Sequence, residues 1–468
     1  MLNIWVRISH QLSPGLRRII SSVGWLSLEK ILSVVINLTV GIYVIRYLGA
    51  GSFGKLSYCL SIVGMFEAIA KLGLDAIVLR NLVQEPEATP DILGTALMLK
   101  LAASLFTLAL IEVVLPTLGS DPQNHWMTKL IALALILRTS EVIEFWFRAQ
   151  VLAKPMAILG SLRLLIGSAL KIGLIYGGFS LIAFVWLLLA EEVLQTIGNV
   201  VIYWRYSPRK LSPQQSWLRW KFNWKFNFGR AKEMLHDSWP LILSGMMITI
   251  YMKIDQVMLG NMASNEVVGN YAAAVKFSEV WYFFPLAVCT SVFPSIMRAK
   301  QESEQEYYAK LQQLYDLLAW IALAIAIVMT FGSGILVKVL LGQEYIAAGK
   351  ILVLHIWAGP FVFLGVARSQ WLMAENLTRL SFACTFLGTV VNLGLNFWLI
   401  PLYGGNGAAI ATVISYATVS HVACLIYPQL THTGWMLTKA LFIPLRLRQN
   451  LIYWSQFKQI FSGFKRKG

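Results

Sequence analysis

Residues 239–260 read WPLILSGMMITIYMKIDQVMLG, an apolar run of bilayer-spanning length with Lys253 and Asp255 inside it. A second run, LIALALILRTSEVIEFWFRA at 130–149, carries Arg138, Glu141, Glu144 and Arg148. A charge held in hydrocarbon costs kilocalories, so it persists where it faces a partner or a wet cavity. Two such runs make the chain an all-α polytopic membrane protein with a polar interior, and a polar interior points to transport.

Composition agrees. Of 468 residues, 57% are hydrophobic and only 13% charged, about half the charged fraction usual in soluble domains; mean hydropathy is +0.63. The net charge of +16 would raise nucleic acid as a partner for a soluble protein. Here the basic residues gather between apolar runs and at the C-terminus, as in cytoplasmic loops, so no nucleic-acid partner is expected. Cys59, Cys289, Cys384 and Cys424 lie in or beside apolar runs without CxxC spacing, which suits small packing residues. The six histidines lack HxxxH or HExxH spacing, so neither a metal nor another cofactor is expected. No cleavable signal peptide precedes the first run.

Twelve runs cover 23–46, 54–74, 93–118, 128–150, 156–178, 180–204, 238–260, 270–297, 313–333, 350–372, 378–400 and 406–428. Each suffices to cross a core of roughly 30 Å as a helix. Their continuous apolar character disfavours a strand barrel. The links at 205–232 and 298–310 and the tail after 428 are rich in Lys and Arg. Those at 119–125, 176–180, 261–270 and 401–407 are poor in them, which predicts cytoplasmic termini. The expected organisation is a six-helix bundle (1–204), a basic linker (205–237), a second six-helix bundle (238–428) and a basic amphipathic tail (429–468). The linker alternates basic residues with Trp217, Trp220, Phe222, Trp224, Phe226 and Phe228, a pattern suited to anionic membrane lipids. A thirteenth span at 435–455 would place Arg446 and Arg448 mid-membrane, which argues against it.

The halves echo each other. YVIRYLGAGSFGKLSYCLSIVG and DQVMLGNMASNEVVGNYAAAVKF both show a helix, Leu-Gly, a polar turn with another Gly, then Tyr. Six spans per half predict a parallel repeat, with the substrate path between the halves. GAGSFG at 49–54 matches GxGxxG, and Lys55 nearly completes a P-loop, but Leu56 stands where Ser or Thr is needed. A turn between two spans is the better reading, and transport would then draw on an ion gradient or run downhill.

The intramembrane charges sort by helical spacing. Glu67, Lys71 and Asp75 share a face, as do Arg138, Glu141, Glu144 and Arg148, and Arg163 with Lys171. Lys276 and Glu279 are three apart; Glu29, Lys30, Lys100, Glu112, Arg368 and Glu375 complete the set. Ion pairs and snorkelling account for many, especially near span ends. The deepest are Arg138, Glu141, Arg163, Lys171, Lys253 and Asp255. Cations in a cavity attract phosphate oxygens, which makes Lys30, Arg138, Arg163, Lys171, Lys253 and Arg368 substrate-binding candidates. Carboxylates there can carry protons, which makes Glu29, Glu67, Glu141 and Asp255 the candidates for coupling H+ or Na+.

Four stretches, LEKILSVVINLTVGIYVIRYLGAGSFGKLSY (28–58), IAKLGLDAIVLRNL (69–82), residues 253–296 and IPLYGGNGAAIATVISY (400–416), resemble the Wzx-type polysaccharide flippases of the MOP superfamily. The resemblance covers most of residues 20–428. It implies two six-helix bundles around a V-shaped cavity and alternating access. It further implies export of an undecaprenyl-diphosphate-linked oligosaccharide across a bacterial cytoplasmic membrane, beside a polysaccharide polymerase and a chain-length regulator. The family's acidic-basic pair corresponds to Glu29 and Lys30, its span-seven Asp to Asp255, and its Gly-Leu-Asp with a downstream Arg to Gly73–Asp75 and Arg80. Many relatives have fourteen spans; twelve are expected here. A drug-extruding relative would favour an acidic cavity, against the deep Arg and Lys. A glycosyltransferase or polymerase would need an acidic outer loop, and the short outer loops offer only Asp121, Glu266 and Glu344.

Overall fold

The structure, a computed structural model, describes residues 14–119, 121–206 and 224–451, with side chains from Gly24 onward except Leu26 and Ser27. Most of the basic linker, including Arg209, Lys210, Trp217, Arg219, Trp220, Lys221 and Phe222, lies outside the described residues. So does the tail after Leu451, with Lys458, Lys465, Arg466 and Lys467. The described regular structure is helical throughout. It divides into two compact units, Met1–Val257 and Met258–Gly468.

The first unit holds α1 (Pro14–Lys71), α2 (Leu74–Gln84), α3 (Thr89–Val114), α4 (Pro122–Leu137), α5 (Glu141–Ala149), α6 (Ala153–Tyr176), α7 (Leu181–Tyr206) and most of α8 (Phe228–Met262). Gly49, at φ 71° and ψ 166°, kinks the 58-residue α1. That backbone region is open essentially to glycine alone, so Gly49 makes the bend between two helices and the rest of GAGSFG opens the second. Leu72 and Gly73, both left-handed, separate α1 from α2. A Cβ on Gly73 would lie 2.7 Å from Leu241. The boundary between the units falls inside α8, downstream of the expected linker. Contacts explain it: Thr249 donates to the Met65 carbonyl at 3.1 Å, and Ser61 donates to Gln256 at 2.8 Å.

The second unit holds the end of α8, then α9 (Asn265–Glu279), α10 (Phe283–Glu302), α11 (Glu304–Leu341), α12 (Ile346–His355), α13 (Ala358–Ala374), α14 (Thr378–Tyr403), α15 (Gly405–Ala417), a π-helical turn Thr418–Val422, α16 (Ala423–Ile426) and α17 (Thr431–Leu441). Its core joins Cys289, Tyr315, Phe363, Trp371, Cys384 and Leu437. All four cysteines are buried and unbridged. The C-terminal element begins as a docked helix: Leu437, Ala440 and Ile443 are fully buried. α17 stops at Leu441, ahead of Pro444, so no single helix spans 435–455.

Among the described residues, nine helices are long and apolar enough to cross a membrane, or ten if the pair around His355 and Ala358, bent by 49°, is one span. Two local features separate this from the twelve expected. Leu28–Gln84 counts as one despite its kink, and 122–149 is interrupted by a 3-10 turn, Arg138–Ser140. The halves repeat one detail closely. α5 and α13 both end in a left-handed non-glycine residue, Val151 and Asn376. The next amides, Leu152 and Leu377, bond back to Phe147 and Leu372 at 2.9 and 2.8 Å, a helix stop that ties off otherwise orphaned carbonyls.

Candidate functional site: the charged core of the first unit

The break at Arg138–Ser140 organises the site. It frees the carbonyls of Leu137 and Ser140, and buried carbonyls need donors. α7 supplies them: Thr196 bonds the Leu137 carbonyl at 3.0 Å, and Asn199 bonds Ser140 through its carbonyl at 3.4 Å and its Oγ at 3.2 Å. The break also turns Arg138 between two carboxylates. Its Nη1 donates to Glu67 at 2.9 Å, and its Nε and Nη2 donate to Glu192 at 3.3 and 3.1 Å.

The pairing extends from there. Lys71 lies 2.8 Å from Glu67, and Arg163 lies 3.7 Å from Glu192. Lys171 reaches Glu191 at 2.7 Å. Lys100, only 3% exposed, sits 3.4 Å from both Asp75 and Glu141 and over the Phe145 ring. Glu144 meets Arg148 at 3.7 Å, Gln195 at 3.2 Å and Asn199 at 3.4 Å. Six cations therefore face six carboxylates across α1 to α7. A cavity of about 10 Å³ lies among Glu67, Lys71, Lys100, Arg138, Thr139 and Glu141, enough for about one water.

Among the residues expected to form the site, Glu67, Arg138, Glu141, Arg163 and Lys171 come together. The Glu67, Lys71, Asp75 face does not persist: Asp75 lies beyond the left-handed pair Leu72–Gly73 and turns to Lys100. Glu29 is half-buried against Gly160, 3.3 Å from where a Cβ would be, and Lys30 is exposed. Lys253 runs its stem along Gly64 and forms no ion pair among the described residues. Asp255 is buried. Arg368, 2% exposed, is inside the second unit, where it donates to the Val419 carbonyl of the π turn and contacts Cys424. The sequence reading missed Glu191, Glu192, Gln195 and Asn199. Their signal was present in AEEVLQTIGN: acids deep in an apolar run, followed by amides three to four residues apart on one face.

α6 fits this charge by alternating glycine with cations. Gly160, Arg163, Gly167 and Lys171 follow one another at spacings of three or four, so they share a face. A Cβ on Gly167 would lie 2.1 Å from the Glu191 carboxylate, and only glycine leaves room for Glu191 to reach Lys171.

Apolar helices in two units, with a network of ion pairs inside the first, define a multi-pass membrane protein. The fold is that of the MOP superfamily. An inward-facing multidrug resistance MATE transporter aligns with a TM-score of 0.65 at 17% identity, over 90% of this chain and 98% of its own. The lipid II flippase MurJ, in an inward closed conformation, aligns with a TM-score of 0.61 at 14% identity, over 93% and 98%. Residues 44–349 match the family model for polysaccharide biosynthesis proteins, and the chain belongs to that family. It is 25% identical to the probable low-salt glycan biosynthesis flippase Agl15 of Haloferax volcanii, over 85% of this chain and 82% of that one. It is 19% identical to the capsular polysaccharide biosynthesis protein CapF of Staphylococcus aureus, over 85% and 96%.

Proposed function

We propose that this protein is a flippase that carries an undecaprenyl-diphosphate-linked oligosaccharide outward across a bacterial cytoplasmic membrane by alternating access. It works as an ion-coupled carrier, not an enzyme, with both termini cytoplasmic. It hands its cargo to a polysaccharide polymerase and a chain-length regulator. The observation that carries this reading is Arg138, held by Glu67 and Glu192 beside a water-sized cavity. Guanidinium groups bind phosphate oxygens and carboxylates with the same fork. A diphosphate can therefore replace Glu67 or Glu192 as the partner of Arg138 and Arg163. Displacing one carboxylate leaves the core with an uncompensated negative charge, which favours uptake of a proton or a cation by a carboxylate of that core. Substrate and ion are thereby linked at one set of side chains. Lys253, with no ion pair of its own among the described residues, adds charge for the same anion.

The test is transport in proteoliposomes containing a labelled polyprenyl-diphosphate oligosaccharide, scored by the label's accessibility from each side. Wild-type protein should move the label, and Arg138→Ala and Arg163→Ala should abolish movement while inserting normally. Efflux of cationic drugs with no glycan movement would point instead to a drug antiporter. Glycosidic bond formation would point to a polymerase.

A further inference from the structure

We propose that Glu144 carries the coupling proton within the charged core, a role that rests on the carrier reading above. The partners of each carboxylate single it out. Glu67 has two cations within 3 Å, Glu192 has two arginines, and Glu191 has Lys171 at 2.7 Å. Asp75 and Glu141 share the buried Lys100, and Glu141 also borders the water-sized cavity with Lys71 and Arg138. The cation nearest Glu144 is Arg148, at 3.7 Å, 55% exposed, with its guanidinium also over the Phe145 ring. The other contacts of Glu144 are neutral amides, Gln195 and Asn199, both donating to the same oxygen.

A second observation points to a proton. Gln195 gives its Nε2 hydrogens to Glu144 and Asn199, while its buried Oε1 has no partner. A neutral carboxyl carries one O–H donor, and a carboxylate carries none. Half a turn of the Gln195 amide, which gives up its bond to Asn199 Oδ1, presents Oε1 to Glu144 as an acceptor for the protonated carboxyl. Asn199, fully buried and anchored on Ser140, fixes the distance.

The charged groups that act on Glu144 are Glu141 and Arg148, both on its own helix, while Lys100 is engaged with Asp75 and Glu141. Lys154 on α6 is held over Trp25. Proton uptake forms one O–H bond on Glu144 and removes one negative charge. Arg148 loses its carboxylate and becomes available to an anion. Proton binding and anion binding then favour each other, each by the same factor.

Infrared difference spectra of the purified protein in nanodiscs of neutral lipid, taken across steps of pH, test this without transport. A protonated-carboxyl C=O band should be present in wild type, be lost in Glu144→Gln, return at a shifted frequency in Glu144→Asp, and persist in Glu67→Gln and Glu141→Gln. With inorganic pyrophosphate as probe, apparent affinity should rise as pH falls in wild type, and Glu144→Gln should abolish that dependence. A band absent from wild type, unchanged in Glu144→Gln, or lost with Glu67 or Glu141 instead would overturn the assignment. Wild type that shows the band yet moves no lipid-linked glycan would overturn the flippase reading and leave the proton on Glu144.

Discussion

Arg138 Nη1 donates to Glu67 Oε1 at 2.9 Å, joining the 3-10 break of the fourth helical segment to the second half of α1. The two residues are separated by 71 positions in the chain. Their contact makes the break a structural joint as well as an interruption, because Thr196 and Asn199 satisfy the carbonyls it exposes and Glu192 takes the other edge of the guanidinium.

Removing that guanidinium leaves Glu67 to Lys71 and Glu192 to Arg163. Breaking a buried pair typically costs about 3–5 kcal/mol. Arg138 is 36% exposed, so Arg138→Ala should cost about 1–3 kcal/mol after solvent screening. Arg138→Lys keeps the charge but cannot reach Glu67 and Glu192 through three separate nitrogens. It should recover stability more than transport. Thermal unfolding in detergent beside the liposome assay separates the two.

Gly167→Ala should lower stability by about 1–3 kcal/mol, the usual range for forcing atoms into a filled site. The new Cβ would collide with the Glu191 carboxylate, which must leave Lys171. Because the clash is with one side chain, Glu191→Ala should relieve it: the double variant should be more stable than the sum of the two losses. Additive losses in a double-mutant cycle would show that Gly167 matters for another reason.

The helical membrane class was legible from the length and continuity of the apolar runs. The partners of the charges were less so, because helix breaks reset the phase on which same-face arguments depend. Asp75 was grouped with Glu67 and Lys71 until Leu72 and Gly73 turned it toward Lys100. Arg138 was grouped with Glu144, and the turn at 138–140 sends one to Glu67 and Glu192 and the other to Gln195 and Asn199. Non-glycine residues at positive φ, such as Leu72 and Val151, give no local sequence signal. Arg368, a candidate for the substrate from its charge alone, closes on a π-turn carbonyl inside the second unit, a contact that helical spacing does not reveal.

At the end of α13, Glu375 accepts from Lys300 at 2.8 Å and from the Tyr307 hydroxyl at 2.7 Å. Burial works against the charged form, but those two hydrogen bonds and the charge of Lys300 outweigh it and hold the carboxyl below its usual range. A carboxyl whose folded value is lowered stabilises the fold above the unfolded value, about 4.3. It loses that contribution as pH falls through the lower folded value. Wild type should therefore keep this contact at neutral pH and lose it only in acid below the ordinary carboxylate range. Glu375→Gln should be less stable at neutral pH and show a shallower acid limb in melting temperature against pH.

Asp316 on α11 is fully buried, and Arg446 lies 3.1 and 3.2 Å from its two oxygens. Gln312 bridges the same carboxylate and the Met436 carbonyl of α17. The pair therefore fastens 431–446 to α11 beside the buried contacts of Leu437, Ala440 and Ile443. Arg446→Ala removes the cation while Asp316 stays buried, so the loss should be about 3 kcal/mol, seen as a lower melting temperature. Asp316→Asn alone removes the carboxylate and leaves Arg446, 29% exposed on its side chain, free to reach solvent, so it should cost less. Combining the two should recover part of the Arg446→Ala loss, because the buried charge is then gone. If Arg446→Ala melts like wild type, the ion pair does not hold the element in place, and Leu437, Ala440 and Ile443 do so alone.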